Sequence, residues 1–231
     1  MIDIINNFDF MVLDWIQAHL RCAFLDAVMP VVTYLGWKGA FFIACAVLML
    51  FFSKWRKTGW SIGVALLLGL IVCNMIVKPL VARIRPYDLR AVALLIAPET
   101  DFSFPSGHTI AAFEFATAFA LCKKKWAVPV YILAFVIAFS RLYLYMHYPT
   151  DVFVSIILGS LFGVLGVKIV DKIYKMIENK TGKKRAASAC TPKKAVEHAG
   201  ASEAAAKSEA ISEEAAGSED AADSENAAQG E

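Results

Sequence analysis

Five apolar stretches, separated by short polar loops, constrain this sequence more than any other feature. They cover residues 37–52, 59–77, 105–122, 126–145 and 149–173. Each is close to the roughly 20 residues that an α-helix needs to cross about 30 Å of hydrocarbon. A hydrophobic content of 58% and a mean hydropathy of +0.55 exclude an ordinary soluble domain. The sequence therefore predicts an all-α integral membrane bundle with about five transmembrane helices, in a multi-pass protein of the cell membrane.

The first 24 residues predict a different kind of helix. Apolar side chains such as Ile5, Phe8 and Val12 recur near one face, while Asp9 and Asp14 lie elsewhere. This amphipathic pattern favours a helix in the membrane interface. A first spanning helix is the alternative, and it is disfavoured because it would place three aspartates in hydrocarbon. We therefore predict an interfacial segment at residues 1–24 and a transmembrane domain at residues 25–177.

Positive charge is concentrated in alternate loops. Residues 54–57 and 123–125 carry three cations each, and several lysines follow the fifth apolar stretch. Loops rich in Lys and Arg stay on the cytoplasmic side of a membrane. We therefore predict that these loops and the C-terminus face the cytoplasm, whereas the loops between them face outward.

The C-terminal segment differs in composition from the rest of the chain. Residues 201–231 hold nine acidic residues and one lysine, whereas the preceding 200 hold 22 Lys and Arg against 12 Asp and Glu. Ala, Glu, Ser and Gly dominate this segment, so it cannot bury enough apolar surface to offset its chain entropy. The sequence predicts a disordered cytoplasmic tail over residues 178–231.

Three short polar blocks lie at the ends of the apolar stretches. They are Lys78-x6-Arg85-Pro86, Pro105-Ser106-Gly107-His108 and Ser140-Arg141-x5-His147-x3-Asp151. The alternation of the spans places all three at the end of the bundle that is predicted to face outward. Together they supply three cations, two histidines and a carboxylate, which is the inventory that a phosphoryl group needs.

Each of these residues also has an ordinary structural interpretation. Lys78 or Arg85 alone would more often be an interfacial cation whose side chain extends toward water. Pro105 and Ser106 would start any helix, and a lone His108 would more often be a hydrogen-bonded polar group. Their occurrence together at one end of the bundle is what favours an active site.

In this order and spacing, the three blocks resemble the three-part signature of the type-2 phosphatidic acid phosphatase superfamily. All eleven specified residues are present, and the resemblance covers roughly residues 25 to 175. Three spaced motifs are far more specific than any single short one. The superfamily includes membrane lipid phosphatases and soluble vanadium haloperoxidases, and the apolar stretches favour the former.

The resemblance implies a role for each residue. His147 would attack phosphorus as a neutral imidazole and form a phosphohistidine, while Asp151 would accept a hydrogen bond from the other ring nitrogen. His108 would protonate the leaving oxygen and then deprotonate the attacking water. The residues implied to hold the phosphate oxygens are Lys78, Arg85, Ser106, Gly107 and Arg141.

No metal or other cofactor is expected. The acidic residues of the long loop, Asp88, Glu99 and Asp101, are scattered in the sequence rather than clustered for magnesium. The three cations would supply the charge that a metal otherwise provides. We therefore predict a metal-independent lipid phosphatase or diphosphatase.

Two other notable positions lie outside the three blocks. Glu114 lies seven residues after Gly107, so it should point into the bundle rather than at lipid. It would bond to Asn74, tune His108 or simply be a neutral acid paired with a neighbouring helix. Ser155 stands where the superfamily often has a glycine.

The implied substrate is a lipid phosphate, because the predicted site opens at the outer membrane face, where headgroups lie. Small outward-facing members of the superfamily are commonly undecaprenyl diphosphate phosphatases of cell-wall synthesis, which favours that substrate. Phosphatidylglycerophosphate and phosphatidate phosphatases share the same residues and remain alternatives.

Two alternatives come from other classes: a non-catalytic lipid-phosphate binder and an enzyme that transfers the group to another acceptor. The intact His147 argues against the binder, since binding needs only the cations. The expected partners are the bilayer and a lipid phosphate, nucleic acid is not expected, and the sequence indicates no oligomeric state.

Overall fold

The computed structural model describes residues 2–181, and over this range the regular structure is all helix, with loops between the helices and no strand. The helices are α1 (Ile2–His19), α2 (Ala23–Leu35), α3 (Ala40–Phe51), α4 (Arg56–Gly69), α5 (Lys78–Val81), α6 (Pro86–Leu89), α7 (Gly107–Cys122), α8 (Ala127–Tyr143) and α9 (Pro149–Thr181). Short 3-10 turns at Trp37–Gly39 and Lys124–Trp126 precede α3 and α8, and a π-helical stretch, Leu70–Val77, joins α4 to α5. The predicted all-α membrane bundle is confirmed.

Within the described residues, four stretches are long and apolar enough to cross a membrane. They are Ala23–Phe51, Arg56–Leu89, Lys124–Tyr143 and Pro149–Lys180. The first begins earlier than predicted, because α2 continues into α3 across the turn at Trp37–Gly39, where Gly39 has a φ of 68°. Glycine adopts this left-handed conformation without steric cost. Helix α2 therefore forms the first part of this span, which was predicted to begin only at residue 37.

The remaining predicted span, α7, is shorter and lies at the centre of the bundle. It has 16 residues, of which 13 are buried, and it packs against α9, α8 and α4. At 1.5 Å per residue, α7 is about 24 Å long. Because neighbouring helices surround it, packing rather than lipid thickness determines where α7 begins and ends.

Glycines allow α9 to pack closely against its neighbours. A Cβ atom at Gly159 would lie 2.7 Å from the backbone oxygen of Ile110 in α7, and one at Gly166 would lie 2.5 Å from that of Ser61 in α4. Small residues permit this approach between backbones in membrane bundles. Close packing at these two glycines holds α9 against α7 and α4.

Helix α1 buries Leu13 and Ile16 against the bundle, and it also makes polar contacts there. Asp9 is fully buried, Asp14 accepts a hydrogen bond from the Tyr145 hydroxyl at 2.7 Å, and the Gln17 amide donates to the Tyr143 carbonyl at 2.7 Å. The exposed apolar side chains of α1 are Ile5, Phe8, Met11 and Trp15. The interfacial placement of residues 1–24 stays a prediction, but α1 also makes specific polar contacts with the bundle.

The basic loops and the three polar blocks lie at opposite ends of the bundle. Lys123 Nζ lies 3.4 Å from the Lys54 carbonyl, which places the two basic loops side by side. Lys57 pairs with Asp171 of α9 at 2.7 Å at the same end. Residues 178–181 of the predicted tail belong to α9, and the rest of the tail lies outside the described residues.

Candidate active site

The three polar blocks converge at the end of the bundle away from the basic loops. Lys78 begins α5, Arg85 directly precedes α6, and His108 lies in the first turn of α7. Arg141 lies in the last turn of α8, and His147 lies in the loop between α8 and α9. Asp151 lies in the first turn of α9, and Ser106 and Gly107 form the turn into α7. Residues that lie far apart in the sequence therefore meet in one buried site.

The His147 ring has a defined hydrogen-bond partner. The side chain is 1% exposed, and its Nδ1 lies 2.7 Å from the Ser103 carbonyl oxygen. A carbonyl only accepts hydrogen bonds, so Nδ1 carries the proton and Nε2 carries the lone pair. Nε2 lies 3.4 Å from Arg85 Nη1. In this tautomer, Nε2 is the ring nitrogen whose lone pair could act as a nucleophile.

The surroundings of His147 keep its ring neutral. Burial, followed by the charges of Arg85 and Arg141, holds the pKa of His147 well below its usual value. Desolvation and neighbouring cations both disfavour the protonated ring. A neutral imidazole is the form required for attack on phosphorus.

Asp151 does not accept a hydrogen bond directly from His147. Its Oδ2 lies 3.9 Å from His147 Nδ1, which is beyond hydrogen-bond distance. Instead, Oδ2 accepts hydrogen bonds from the Ser103 hydroxyl at 2.5 Å and from the Tyr148 N–H at 3.3 Å. Ser103 thus replaces the predicted direct bond, because its carbonyl takes the ring N–H and its hydroxyl donates to the carboxylate. Nothing in the sequence pattern distinguished Ser103.

Two carboxylates of the long loop pair with the three cations. Asp101 accepts from Lys78 Nζ at 2.6 Å and also contacts Arg85 Nη2. Glu99 lies 2.6 Å from Arg85 Nη2 and 2.6 Å from Arg141 Nη2. The loop folds so that these acids, which are scattered in the sequence, meet at the site. They occupy the same donors that the resemblance assigns to phosphate oxygens.

Both loop carboxylates are ionised at neutral pH. Burial opposes ionisation of Asp101, but its hydrogen bond and charge interaction with Lys78, together with Arg85, lower its pKa to about 2. Burial likewise opposes ionisation of Glu99, and the charges of Arg141 and Arg85 outweigh it and hold the pKa of Glu99 below its usual value. An incoming phosphate must therefore displace two anions from these cations.

His108 lies near Glu99, the carboxylate that pairs with Arg85 and Arg141. Its Nδ1 is 4.0 Å from Glu99 Oε1, and its side chain is 11% exposed. The ring packs against Gly36, where a Cβ atom would come within 2.7 Å of the imidazole. Gly36 therefore provides the space for the His108 ring, and the remaining exposure gives this imidazole access to water.

Ser155 ties α9 to the turn that precedes α7. Its hydroxyl accepts a hydrogen bond from the Ser106 N–H at 2.8 Å and donates to the Asp151 carbonyl at 2.6 Å. The buried Ser106 hydroxyl accepts from Thr109 at 3.0 Å. The serine that departs from the usual glycine thus has a structural role beside the site.

Glu114 points into the bundle, as predicted. It is 1% exposed and lies against Gly69 of α4, where a Cβ atom would come 1.9 Å from Glu114 Oε1. Asn74 instead lies beside Gly107, with its Oδ1 3.3 Å from the position of a Cβ there. The contacts of Glu114 therefore favour its interpretation as an acid packed against a neighbouring helix.

Comparison with known proteins identifies the family. A model of the PAP2 superfamily matches residues 58–175, a range that contains all three polar blocks. The chain belongs to the PAP2 superfamily. It is a membrane lipid phosphatase of that superfamily, a hydrolase that acts on phosphate esters.

Relatives of this PAP2 phosphatase differ in their substrates. The undecaprenyl-diphosphatase of Sulfolobus acidocaldarius is 31% identical over 143 residues, which cover 59% of this chain and 69% of that protein. Phosphatidylglycerophosphatase B of Bacillus subtilis is 34% identical over 176 residues, covering 70% and 82% respectively. The crystal structure of Aquifex aeolicus LpxE, 26% identical, matches with a TM-score of 0.62 and covers 70% of this chain and 95% of that one.

Helices α1 and α2 contribute residues to the PAP2 site that the sequence did not indicate. Arg141 Nη1 donates to the Thr33 hydroxyl of α2 at 2.6 Å. Arg83 contacts both Asp151 and Asp9 of α1. Arg83 lies within the first block, two residues before Arg85, so its position in the sequence could have indicated a place near the site. No sequence pattern marked Thr33.

The Asp101→Asn variant should bind substrate more tightly than the wild type. The substitution removes a charge that competes with phosphate for Lys78 and Arg85. Because the Asp101 side chain is 52% exposed, we expect KM to fall only about twofold to fivefold, as for an ion pair worth up to about 1 kcal/mol. Initial rates of phosphate release give KM. Asp88→Asn makes the same charge change in α6 and serves as the control. An equal fall in KM for Asp88→Asn, or a higher KM for Asp101→Asn, would contradict the idea that Asp101 competes with phosphate.

Proposed function

We propose that this protein hydrolyses a lipid phosphate through a phosphohistidine on His147, and that undecaprenyl diphosphate is its favoured substrate. The observation that carries the mechanism is the His147 tautomer: Nδ1 donates to Ser103, and Nε2 is left with its lone pair next to Arg85. The phosphoryl group would lie among Lys78, Arg85 and Arg141 in place of the loop carboxylates.

The reaction divides into two displacements. His147 Nε2 forms a bond to the terminal phosphorus as the bond to the bridging oxygen breaks, and His108 gives its proton to the leaving lipid phosphate. Water then attacks the phosphohistidine while His108 takes its proton, and the N–P bond breaks to release inorganic phosphate and neutral His147. Ser106 and Gly107, at the N-terminus of α7, would supply further donors to the phosphate.

The charged side chains of the site stabilise the transition state electrostatically. Arg85 and Arg141 have planar guanidinium groups that bind two oxygens at once, and charge builds up on the equatorial oxygens during transfer. The Nε atom of Arg141 is buried and has no hydrogen-bond partner among the described residues. Its hydrogen therefore lacks an acceptor, and a phosphate oxygen bound beside Arg141 would supply one.

Topology and relatives support the substrate and the side of the membrane. The Lys-rich loops lie at the opposite end of the bundle from the site, and such loops stay in the cytoplasm. We propose that the site faces outward and that the tail is cytoplasmic. The Sulfolobus relative is an undecaprenyl-diphosphatase and the Bacillus relative is a phosphatidylglycerophosphatase, so phosphatidylglycerophosphate is the main alternative substrate, followed by phosphatidate.

Phosphate release from a panel of lipids tests the proposal. Undecaprenyl diphosphate, phosphatidylglycerophosphate and phosphatidate are each given to the purified protein and to the His147→Ala variant. We expect the highest kcat/KM with undecaprenyl diphosphate. A clear preference for a glycerolipid would overturn the substrate, and no release from any lipid would favour the non-catalytic binder. Intact cells that do not hydrolyse an externally added, water-soluble lipid phosphate would contradict the outward orientation.

Activity should persist after treatment with EDTA. The proposed chemistry uses Lys78, Arg85 and Arg141 for charge, and a divalent ion would have to compete with these cations. We expect a rate within about twofold of the untreated enzyme, because chelation removes no group from the site. The rate is measured after EDTA treatment and again after adding back excess magnesium. Loss of activity that magnesium restores would contradict the mechanism.

A further inference from the structure

A polar network connects α1 to the catalytic carboxylate. Arg83 Nη1 contacts Asp151 Oδ1 and donates to the Thr150 hydroxyl at 2.9 Å. Its Nη2 donates to Asp9 at 2.7 Å and to Asn6 at 3.0 Å. Asp9 and Asp151 are both fully buried. One guanidinium therefore joins two buried carboxylates, one from α1 and one from α9.

Asp9 also contacts the start of α9 by a second route. Its Oδ1 accepts from the Thr150 N–H at 3.0 Å, and its Oδ2 accepts from the Thr150 hydroxyl at 2.6 Å. Thr150 directly precedes Asp151, so these bonds fix the turn that carries the catalytic carboxylate. A fully buried carboxylate is costly unless it is paired and hydrogen-bonded. Asp9 has both an ion pair and two hydrogen bonds, and all of them involve neighbours of Asp151.

Arg83 determines which way the Asp151 carboxylate faces. Arg83 contacts Oδ1 of Asp151, so Oδ2 accepts the hydrogen bonds from the Ser103 hydroxyl and the Tyr148 N–H. The Arg83 guanidinium also lies 3.7 Å from the centre of the Tyr148 ring, which restrains its plane. Ser103 holds His147 Nδ1 through its carbonyl. The chain of contacts from Arg83 thus ends at the nucleophile.

We propose that Arg83 is a positioning residue for Asp151 and that Asp9 of α1 holds Arg83 in place, so that α1 completes the active site. This inference rests on the proposed role of His147 as the nucleophile. Arg83 acts through the carboxylate rather than on the phosphate. Its removal should therefore slow the chemical step and leave substrate binding nearly unchanged.

Substitutions of Arg83 and Asp9 test this role. We expect Arg83→Gln to lower kcat about tenfold to a hundredfold, the range found for residues that orient a catalytic ligand, with KM changed by less than about twofold. Arg83→Lys keeps the charge but loses the fork of donors, so it should recover part of the rate. Asp9→Asn should lower kcat in the same direction, by a smaller factor.

A double-mutant cycle separates positioning from general stability. Arg83→Gln is made in the wild type and in Asp151→Asn, and the two losses in kcat are compared. If Arg83 acts through Asp151, adding Arg83→Gln to the Asp151→Asn variant should lower kcat very little further. An equal factor in both backgrounds would overturn the inference, since a merely structural residue lowers the rate whether or not the carboxylate is present. If Arg83→Gln does not fold, Arg83→Lys is used in the same cycle.

Arg90 provides a matched control. It pairs with Asp14 of α1 and lies 4.0 Å from the centre of the Phe10 ring. The two charged side chains are 46% and 50% exposed, and neither contacts Asp151. Arg90→Gln should keep kcat within about twofold of the wild type. If folded Arg83→Gln has the same rate as the wild-type protein, the positioning role is wrong but the proposed function stands. If the wild-type protein itself releases no phosphate from the lipid panel, the proposed function is wrong.

Discussion

Replacement of His147 by alanine is expected to lower phosphate release by at least about 10⁴-fold, the scale of loss seen when a catalytic nucleophile is removed. The reason is specific to this site. Nε2 of His147 is the unprotonated ring nitrogen beside Arg85, and its Nδ1–H is held by Ser103. His108 Nδ1 lies 4.0 Å from Glu99 Oε1 and has its own proposed role as the acid, so we do not expect it to replace the missing nucleophile.

Two measurements on the His147→Ala variant distinguish a lost nucleophile from a damaged site. The first is the initial rate of phosphate release. The second is rapid quenching with a substrate labelled in its terminal phosphate, after which the wild type should carry an acid-labile label and His147→Ala should carry none. His19→Ala is the control, because His19 is exposed on α1 and contacts the Trp15 carbonyl. A His147→Ala variant that keeps its rate or its label contradicts the phosphohistidine.

The membrane architecture was largely predictable because its causes are local. An apolar stretch of about 20 residues has one stable solution in lipid, a helix that satisfies its own backbone. The position of α7 depended on more than length, since neighbours bury most of this 16-residue helix. Likewise, the break at Trp37–Gly39 depends on a left-handed Gly39, and hydropathy carries no signal for backbone conformation.

The site residues were predictable to the extent that they belong to spaced motifs. Lys78, His108 and Asp151 stand at fixed distances from their block neighbours, and the structure brings their blocks together. Ser103 and Glu99 carry no such pattern. Their roles arise from the path of the long loop, which returns to the site and supplies one carbonyl, one hydroxyl and a carboxylate. Tertiary folding of a loop is not encoded in short-range spacing.

The amphipathic pattern of residues 1–24 predicted a helix but not the contacts that α1 makes with the bundle. Apolar residues such as Phe8 and Trp15 are exposed, which suits a helix at the membrane interface. Asp9, however, is fully buried against Arg83. A polar residue on an amphipathic helix has the same sequence signature whether it faces water or a buried partner, so only the structure distinguishes the two.

The Arg85→Lys variant is expected to lose about 10²-fold to 10³-fold in kcat/KM, the scale of loss seen when a donor that stabilises transition-state charge is removed. Arg85 is 1% exposed and makes three kinds of contact at once. Its Nε donates to the Asp101 carbonyl at 2.8 Å, its Nη1 donates to the Met146 carbonyl at 2.9 Å, and the same Nη1 lies 3.4 Å from His147 Nε2. One planar guanidinium therefore contacts the loop, the segment that carries His147 and the Nε2 atom that we propose attacks phosphorus.

Lysine keeps the charge of Arg85 but not this geometry, because a single ammonium cannot reach three separate partners. The measurements are kcat/KM, which should fall, and the inhibition constant for inorganic phosphate, which should rise because phosphate binds the same donors. Arg90→Lys is the matched control, because Arg90 is exposed and lies outside the site. A folded Arg85→Lys enzyme within about tenfold of the wild type would show that charge alone suffices at this position. The role of the guanidinium in placing His147 would then have to be abandoned, while the role of His147 itself would stand.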